Sequence, residues 1–251
     1  MKFEDVKKIG VVGGGVMGGG IAQIMAVNGG YEVVVRDISD EAIQATNDAI
    51  FEGKWSIKRA VERGKLGYDQ AAEAIARISL TTDLADLNDC QFIIEAVPEK
   101  LELKQQVFAE LDDVINSDAI FTSNTSGFVI GEIARDVSDQ RKTQFAGMHY
   151  SNPVPVMKMC EVIYTSESTD ETVDTVKRIG DAAGRETMLV RDEPGTYGFL
   201  LNRIFAAAKR EADSIVDAGI ATPEDIDRAM VTGRNWPAGF YGQRGGIGKQ
   251  W

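Results

Sequence analysis

KIGVVGGGVMGGGIAQIMA (residues 8–26) passes from β-branched residues through six glycines into an apolar helical pattern. Residues 6–12, VKKIGVV, predict a short buried strand, and Ile21, Ala22, Ile24, Met25 and Ala26 predict the buried side of a helix. Strand, glycine turn and helix in that order form the arrangement that receives a dinucleotide pyrophosphate. Gly13 permits the tight turn, Gly15 lets the backbone approach the phosphates, and Gly18 lets the helix pack close to the strand. Val16 and Met17 lie in the same loop, at a helix N-terminus whose N–H groups and positive dipole attract an anion.

A second strand, YEVVVRD (31–37), ends in Asp37, 24 residues beyond Gly13. A carboxylate there accepts hydrogen bonds from the adenine-ribose hydroxyls and repels a 2′-phosphate. NAD is therefore the expected cofactor rather than NADP, with Arg36 the one neighbour able to soften that preference.

Beyond Asp37, residues 40–77 read as two helices broken near Gly64-Lys65-Leu66-Gly67, a helical hairpin inserted into the alternation of strands and helices. The alternation resumes with CQFIIEAV (90–97) as a buried strand, LELKQQVFAELDDVI (101–115) as a helix and AIFTSNTS (119–126) as a strand entering a polar turn. FAGMHY, CEVIYTS and ETMLVRD are further strand candidates, with a helix over 170–184. This predicts an α/β fold, a doubly wound Rossmann-type sheet with a helical hairpin insertion. After Glu193-Pro194-Gly195 the pattern becomes purely helical. Residues 199–219 form an apolar-faced helix, and 222–233 open with a Thr cap, Pro223 at the first helical position and two acids. The expected domains are 1–190, binding NAD, and 191–251, a small all-α C-terminal domain for substrate and dimerisation.

The net charge of −12 argues against nucleic acid, whose binding rests on Lys and Arg meeting phosphates. No apolar run approaches the ~18 residues that a membrane span requires, and the N-terminus lacks the apolar stretch of a signal peptide, so a cytoplasmic protein is expected. Cys90 and Cys160 read as buried thiols. With one histidine in the chain they make no metal site.

That histidine, His149, stands in GMHYSNPVPVMKMCEVI (147–163). With GGGVMGGGIAQ, SNTS and ATPEDIDRAM, this stretch makes the chain resemble the 3-hydroxyacyl-CoA dehydrogenase family, particularly its small stand-alone members acting on 3-hydroxybutyryl-CoA. The likeness runs from residue 8 to about 237, and its most specific element is H-x-x-N-P-V-P-x-M-K-x-x-E-V. Oxidising a secondary alcohol requires a base for the hydroxyl proton, and histidine is the side chain whose ordinary pKa already lies near neutrality. The resemblance implies that His149 is this base and Glu161 its acidic partner. It implies that Ser126 and Asn202 hydrogen-bond the substrate oxygens, and that Glu99, Lys104, Asn124 and Asn152 line the nicotinamide and its ribose. For the acyl-CoA substrate it points to KWSIKRAVERGK (54–65). There Lys54 and Lys58, expected on one helix face, and Lys65 would meet the ADP-phosphate end; a solvated helix face is the plain alternative. A homodimer built by the helical domain is also implied.

Three departures from the family pattern stand out. Thr196-Tyr197-Gly198 separate Pro194-Gly195 from Phe199-Leu200-Leu201-Asn202-Arg203, where the family reads P-G-F-x-x-N-R. Either the helix starts later and Asn202 keeps its place, or the hinge and the role of Asn202 change. Gly127 replaces a common Ser after Ser126, which is expected to loosen that turn. The chain also closes with GQRGGIGKQW after the Trp236 and Phe240 segment, so a shortened helical domain is expected. Two other readings use the same scaffold: a dehydrogenase of a free hydroxy acid or sugar acid, and an NAD-binding protein without turnover.

Overall fold

The computed structural model describes residues 1–195 and 197–242, which fall into two compact units dividing between Tyr197 and Gly198. The division lies later than the sequence reading near 190, because the segment after the last strand stays with the first unit. The residues from 243 onward, including most of GQRGGIGKQW, lie outside the described residues.

In chain order the first unit contains β1 (Lys8–Val12), α1 (Val16–Val27), β2 (Glu32–Arg36), α2 (Asp40–Phe51), α3 (Ile57–Glu62), α4 (Tyr68–Ala76) and β3 (Ile78–Thr81). It continues with β4 (Phe92–Glu95), α5 (Leu101–Val114), β5 (Ile120–Ser123), α6 (Ile130–Ile133), α7 (Asp139–Thr143), β6 (Phe145–Tyr150), β7 (Met159–Tyr164), α8 (Asp170–Ala182) and β8 (Glu186–Arg191). Among the described residues these strands make one eight-stranded sheet in the order β3-β2-β1-β4-β5-β6-β7-β8. Strands β1 to β6 run parallel, and the order reverses between β1 and β4. At such a switch point the turns beyond the carboxyl ends of the strands splay apart and leave a crevice. Strand β7 is antiparallel to β6, and β8 is parallel to β7.

Helices on both faces explain why β4, β5 and β6 are buried along their whole length, the polar residues at their carboxyl ends included. Phe108 of α5 packs edge-on against Phe145 of β6 at 4.6 Å and lies 5.8 Å from Phe121 of β5. Burying one such ring stabilises the fold by about 1.5–3 kcal/mol. Arg141 of α7 stacks its guanidinium 3.9 Å from the Phe121 centroid and donates to Asp112 at 2.8 Å, so this buried cation is paired.

Two local readings need correction. Residues 40–77 form three helices rather than two. The chain breaks after Phe51, where Gly53 N–H closes on the Asp48 carbonyl, and Ser56 caps α3 by accepting the Arg59 N–H at 3.2 Å. The short edge strand β3 was absent from the sequence reading because its residues are only partly buried and carry no apolar run.

The second unit holds α9 (Leu200–Asp217) and α10 (Pro223–Arg234). Thr222 caps α10 by accepting the Asp225 N–H, and Pro223, Glu224 and Asp225 fill its first turn as expected. After α10 the chain returns along α9. Phe240 lies 5.4 Å from Phe205 and 5.1 Å from Trp236, and the Tyr241 hydroxyl donates to Asp213 at 2.9 Å.

Candidate active site

The crevice begins at the glycine turn. Gly13 has φ +93°, and a Cβ there would lie 2.8 Å from the Ala96 carbonyl oxygen, so no other residue fits. A Cβ on Gly18 would lie 1.8 Å from the Gly13 carbonyl oxygen, which fixes the close approach of α1 to β1. A Cβ on Gly15 would meet nothing within 4 Å; the backbone is open there. Gly15 caps α1 without a side-chain bond, and the first turn of α1 carries no acid of its own, so its N–H groups face outward without a side-chain partner from the helix itself. Val16 is exposed beside it and Met17 packs on the core. Asp37 closes the far side: its carboxylate accepts the N–H groups of Gly14 and Ile38, each at 2.7 Å. An open, positively polarised backbone with an anchored acid beside it fits a dinucleotide.

Beyond β4 and β5 lies a chain of buried polar groups. Glu95, at the end of β4, is fully buried and accepts from Lys104 Nζ at 2.7 Å, Ser123 Oγ at 2.6 Å and Val97 N–H at 2.7 Å. Burial pushes its carboxyl up, offset in part by the charge and hydrogen bond of Lys104. Lys104 is 1 % exposed and also reaches Glu99 and the Val97 carbonyl, each at 3.3 Å. Its three ammonium protons thus have three protein acceptors. Glu99 in turn accepts from Thr125 Oγ1 at 2.7 Å, Ser126 N–H at 2.9 Å and Tyr197 OH at 3.2 Å. Burial alone would raise the Glu99 carboxyl, but Thr125, the Lys104 charge and the Ser126 N–H together hold it below the usual range. Thr125 Oγ1 also accepts the N–H groups of Gly127 at 3.3 Å and Phe128 at 3.0 Å. The Ser126 turn is therefore tied at several points.

Strand β6 brings His149 to the same edge of the sheet. The antiparallel register of β6 and β7 sets His149 directly opposite Glu161, and Nδ1 lies 2.6 Å from Glu161 Oε2. Both side chains are buried, the histidine 6 % exposed and the glutamate 1 %. Asn124, just past β5, accepts the Tyr150 N–H through Oδ1 at 3.0 Å and so links the two turns. Asn152 lies exposed in the loop between β6 and β7, which Arg185 holds by donating to the carbonyls of Val154 at 2.9 Å and Met157 at 2.5 Å. Asn202 belongs to the second unit, in the first turn of α9, because the helix starts at Leu200 beyond the three added residues.

The basic residues of the hairpin are arranged differently from the expectation. Lys54 lies in the turn before α3, with its ammonium 5.0 Å from the Trp55 ring, so it does not share a helix face with Lys58. Lys58 pairs with Glu52 and Arg59 with Glu62, while Lys65 lies in the turn after α3, which ends at Glu62. Both cysteines are buried free thiols, and burial pushes Cys90 up to about 12. Among the described residues no helix is long and apolar enough to cross a membrane, and no His, Cys, Asp and Glu side chains cluster as metal ligands do. Sequence reading missed Glu95, Ser123 and Tyr197; only Glu95 left a signal, as an acid inside an otherwise apolar strand.

The fold and the glycine turn define a dinucleotide-binding protein of the Rossmann class. Residues 8–193 match the NAD binding domain of 3-hydroxyacyl-CoA dehydrogenase, and residues 198–248 match its C-terminal domain. The chain belongs to the 3-hydroxyacyl-CoA dehydrogenase family, with NAD as its cofactor. It is 38 % identical over 232 residues to a probable 3-hydroxybutyryl-CoA dehydrogenase of Deinococcus radiodurans, covering 92 % of this chain and 80 % of that protein. It is 35 % identical over 239 residues to human mitochondrial hydroxyacyl-coenzyme A dehydrogenase, covering 94 % and 74 % respectively. The crystal structure of (S)-3-hydroxybutyryl-CoA dehydrogenase from Ralstonia eutropha superposes with a TM-score of 0.87 at 36 % identity, covering 94 % of this chain and 80 % of that one.

Proposed function

We propose that the chain interconverts a short-chain (S)-3-hydroxyacyl-CoA, 3-hydroxybutyryl-CoA among them, and the 3-oxoacyl-CoA, with His149 as the general base. The reaction class, NAD-dependent oxidation of a 3-hydroxyacyl-CoA, follows from the family. The observation that carries the residue assignment is the buried His149–Glu161 pair. Glu161 accepts the Nδ1 proton and so selects the tautomer in which Nε2 is basic. Nε2 takes the substrate hydroxyl proton, Glu161 stabilises the resulting imidazolium, and the proton returns by the same route in the reverse direction. When bound, the nicotinamide accepts the hydride that leaves C3. The Ser126 hydroxyl and the Asn202 amide are the hydrogen-bond partners of the substrate oxygens.

Gly13, Gly15, Val16, Met17 and Gly18 receive the pyrophosphate and Asp37 the adenine ribose. Glu99, Asn124 and Asn152 line the nicotinamide end. Lys104 acts there through Glu99, since its protons are taken by Glu95, Glu99 and Val97. For the CoA end, a groove lined by Phe51, Ile57, Val61 and Tyr68 has Lys58 among its walls. Lys58 is paired with Glu52 on the same wall, so meeting the CoA phosphates there would require Lys58 to leave Glu52, and Lys54 and Lys65 are the other cations of this hairpin. The helical unit forms a homodimer, and two buried free thiols are compatible with a reducing, cytoplasmic setting.

Initial rates of NADH oxidation with acetoacetyl-CoA and with free acetoacetate test the substrate class. Turnover that needs the CoA thioester is expected. Equal rates on both would favour a dehydrogenase of a free hydroxy acid instead.

A further inference from the structure

Tyr197 closes the first unit and is the middle one of the three residues between Gly195 and Phe199. Although 59 % exposed, it is held at two points. Its hydroxyl donates to Glu99 Oε1 at 3.2 Å, and its ring meets the Phe128 ring edge-on, with centroids 5.8 Å apart and planes at 88°. Phe128 lies two residues past Ser126 in the turn tied by Thr125, so both supports of Tyr197 belong to the turns beyond β4 and β5.

Four donors converge on the Glu99 carboxylate: Thr125, Ser126, Lys104 and Tyr197. Three of them come from the turn after β5 and from α5, and all lie within 27 positions of Glu99. Tyr197 reaches it from 98 positions away. Thr125 and Lys104 are buried, whereas the Ser126 N–H and the Tyr197 hydroxyl reach the carboxylate from its more exposed side. Burial and then the Glu99 charge push the phenol up, which keeps it a protonated donor at neutral pH. A charge-assisted bond from the hydroxyl, long at 3.2 Å, adds a third donor to Glu99 Oε1 beside Thr125 and Ser126.

We propose that Tyr197 is a positioning residue for the nicotinamide end of the cofactor, acting through Glu99. The inference rests on the assignment of Glu99 to that end. Phe128 fixes the ring, the ring aims the hydroxyl, and the hydroxyl adds a long-range tie to Glu99 Oε1, which Thr125 and Ser126 already hold from the β5 turn. Replacing Tyr197 by Phe removes only the last link and keeps the ring contact.

The test is calorimetric measurement of dissociation constants for NAD⁺ and for ADP-ribose, which lacks the nicotinamide, on the wild type, Tyr197→Phe and Glu99→Gln. Tyr197→Phe is expected to weaken NAD⁺ by roughly three- to tenfold while leaving ADP-ribose within about twofold. Loss of affinity for both ligands together, or for neither, would overturn the proposal. Glu99→Gln separates it from the reading beneath it. If Glu99→Gln weakens NAD⁺ relative to ADP-ribose and Tyr197→Phe does not, the Tyr197 proposal alone fails. If Glu99→Gln changes neither ligand, the assignment of Glu99 fails and the proposal fails with it.

Discussion

His149 and Glu161 are cross-strand partners, in register on antiparallel β6 and β7, with Nδ1 2.6 Å from Oε2. Directly opposed residues hold their Cβ atoms about 4.5–5.5 Å apart, so the sheet itself sets this pair. Glu161→Gln keeps the shape but removes the charge that selects the tautomer and stabilises imidazolium. It is expected to lower kcat by about 10²-fold or more with little change in KM for NAD. Steady-state kinetics showing kcat within a few-fold of wild type would make Glu161 a structural residue only.

The buried Glu95–Lys104 pair carries a stability prediction. Lys104→Met leaves the Glu95 carboxylate buried without its cation and is expected to cost about 3–5 kcal/mol. Adding Glu95→Gln should recover part of that loss, because the uncompensated charge is gone. Urea denaturation of the single and double variants measures both effects. A single variant as stable as the wild type would remove the pair from the account of the fold.

A third prediction concerns acid. Burial alone would raise the Asp112 carboxyl, but the Ser138 N–H and the Arg141 guanidinium hold it below the usual carboxylate range. A carboxyl depressed in the folded state contributes stability that is complete above its unfolded pKa and is lost as pH falls through its folded value. Glu99 follows the same sign, while Glu95, raised by burial, opposes it. The melting temperature should therefore fall as the pH drops through and below the ordinary carboxylate range. Asp112→Asn should be less stable at neutral pH and decline less steeply in acid. An unchanged acid slope in Asp112→Asn would show that Asp112 contributes nothing to the linkage.

Much of this was legible in the residues. The strand–glycine–helix order at 8–26 gave the nucleotide end of the sheet, because each glycine answers a separate steric demand. The stretch from His149 to Glu161 was legible as a pair, since the chain between them folds back as one antiparallel hairpin that sets the two side chains opposite each other. Ties between distant segments were not legible. That Asp37 holds the Gly14 N–H, or that Tyr197 reaches Glu99, depends on where separate turns meet in space. Glu95 was readable in part, since an acid inside CQFIIEAV needs a buried donor, and Lys104 stands nine positions on. The extra break in 40–77 escaped because Ser56 caps a helix of only six residues, too short for its own periodicity.

The helical unit should associate. Ile204 is 68 % exposed and Phe205 45 % on α9, side chains that soluble monomers seldom leave in water as a contiguous patch. Light scattering at micromolar concentration is expected to return a dimer, and Ile204→Asp a monomer. A monomeric wild type would contradict this.

The central claim is that His149 moves the substrate proton. Single-turnover oxidation of NADH by acetoacetyl-CoA, with NADH bound beforehand, isolates that step from cofactor affinity. His149→Gln is predicted to bind NADH as the wild type does and to lose about 10²–10⁴-fold in the rate of that turnover. A variant that binds NADH and turns over at the wild-type rate would contradict the assignment.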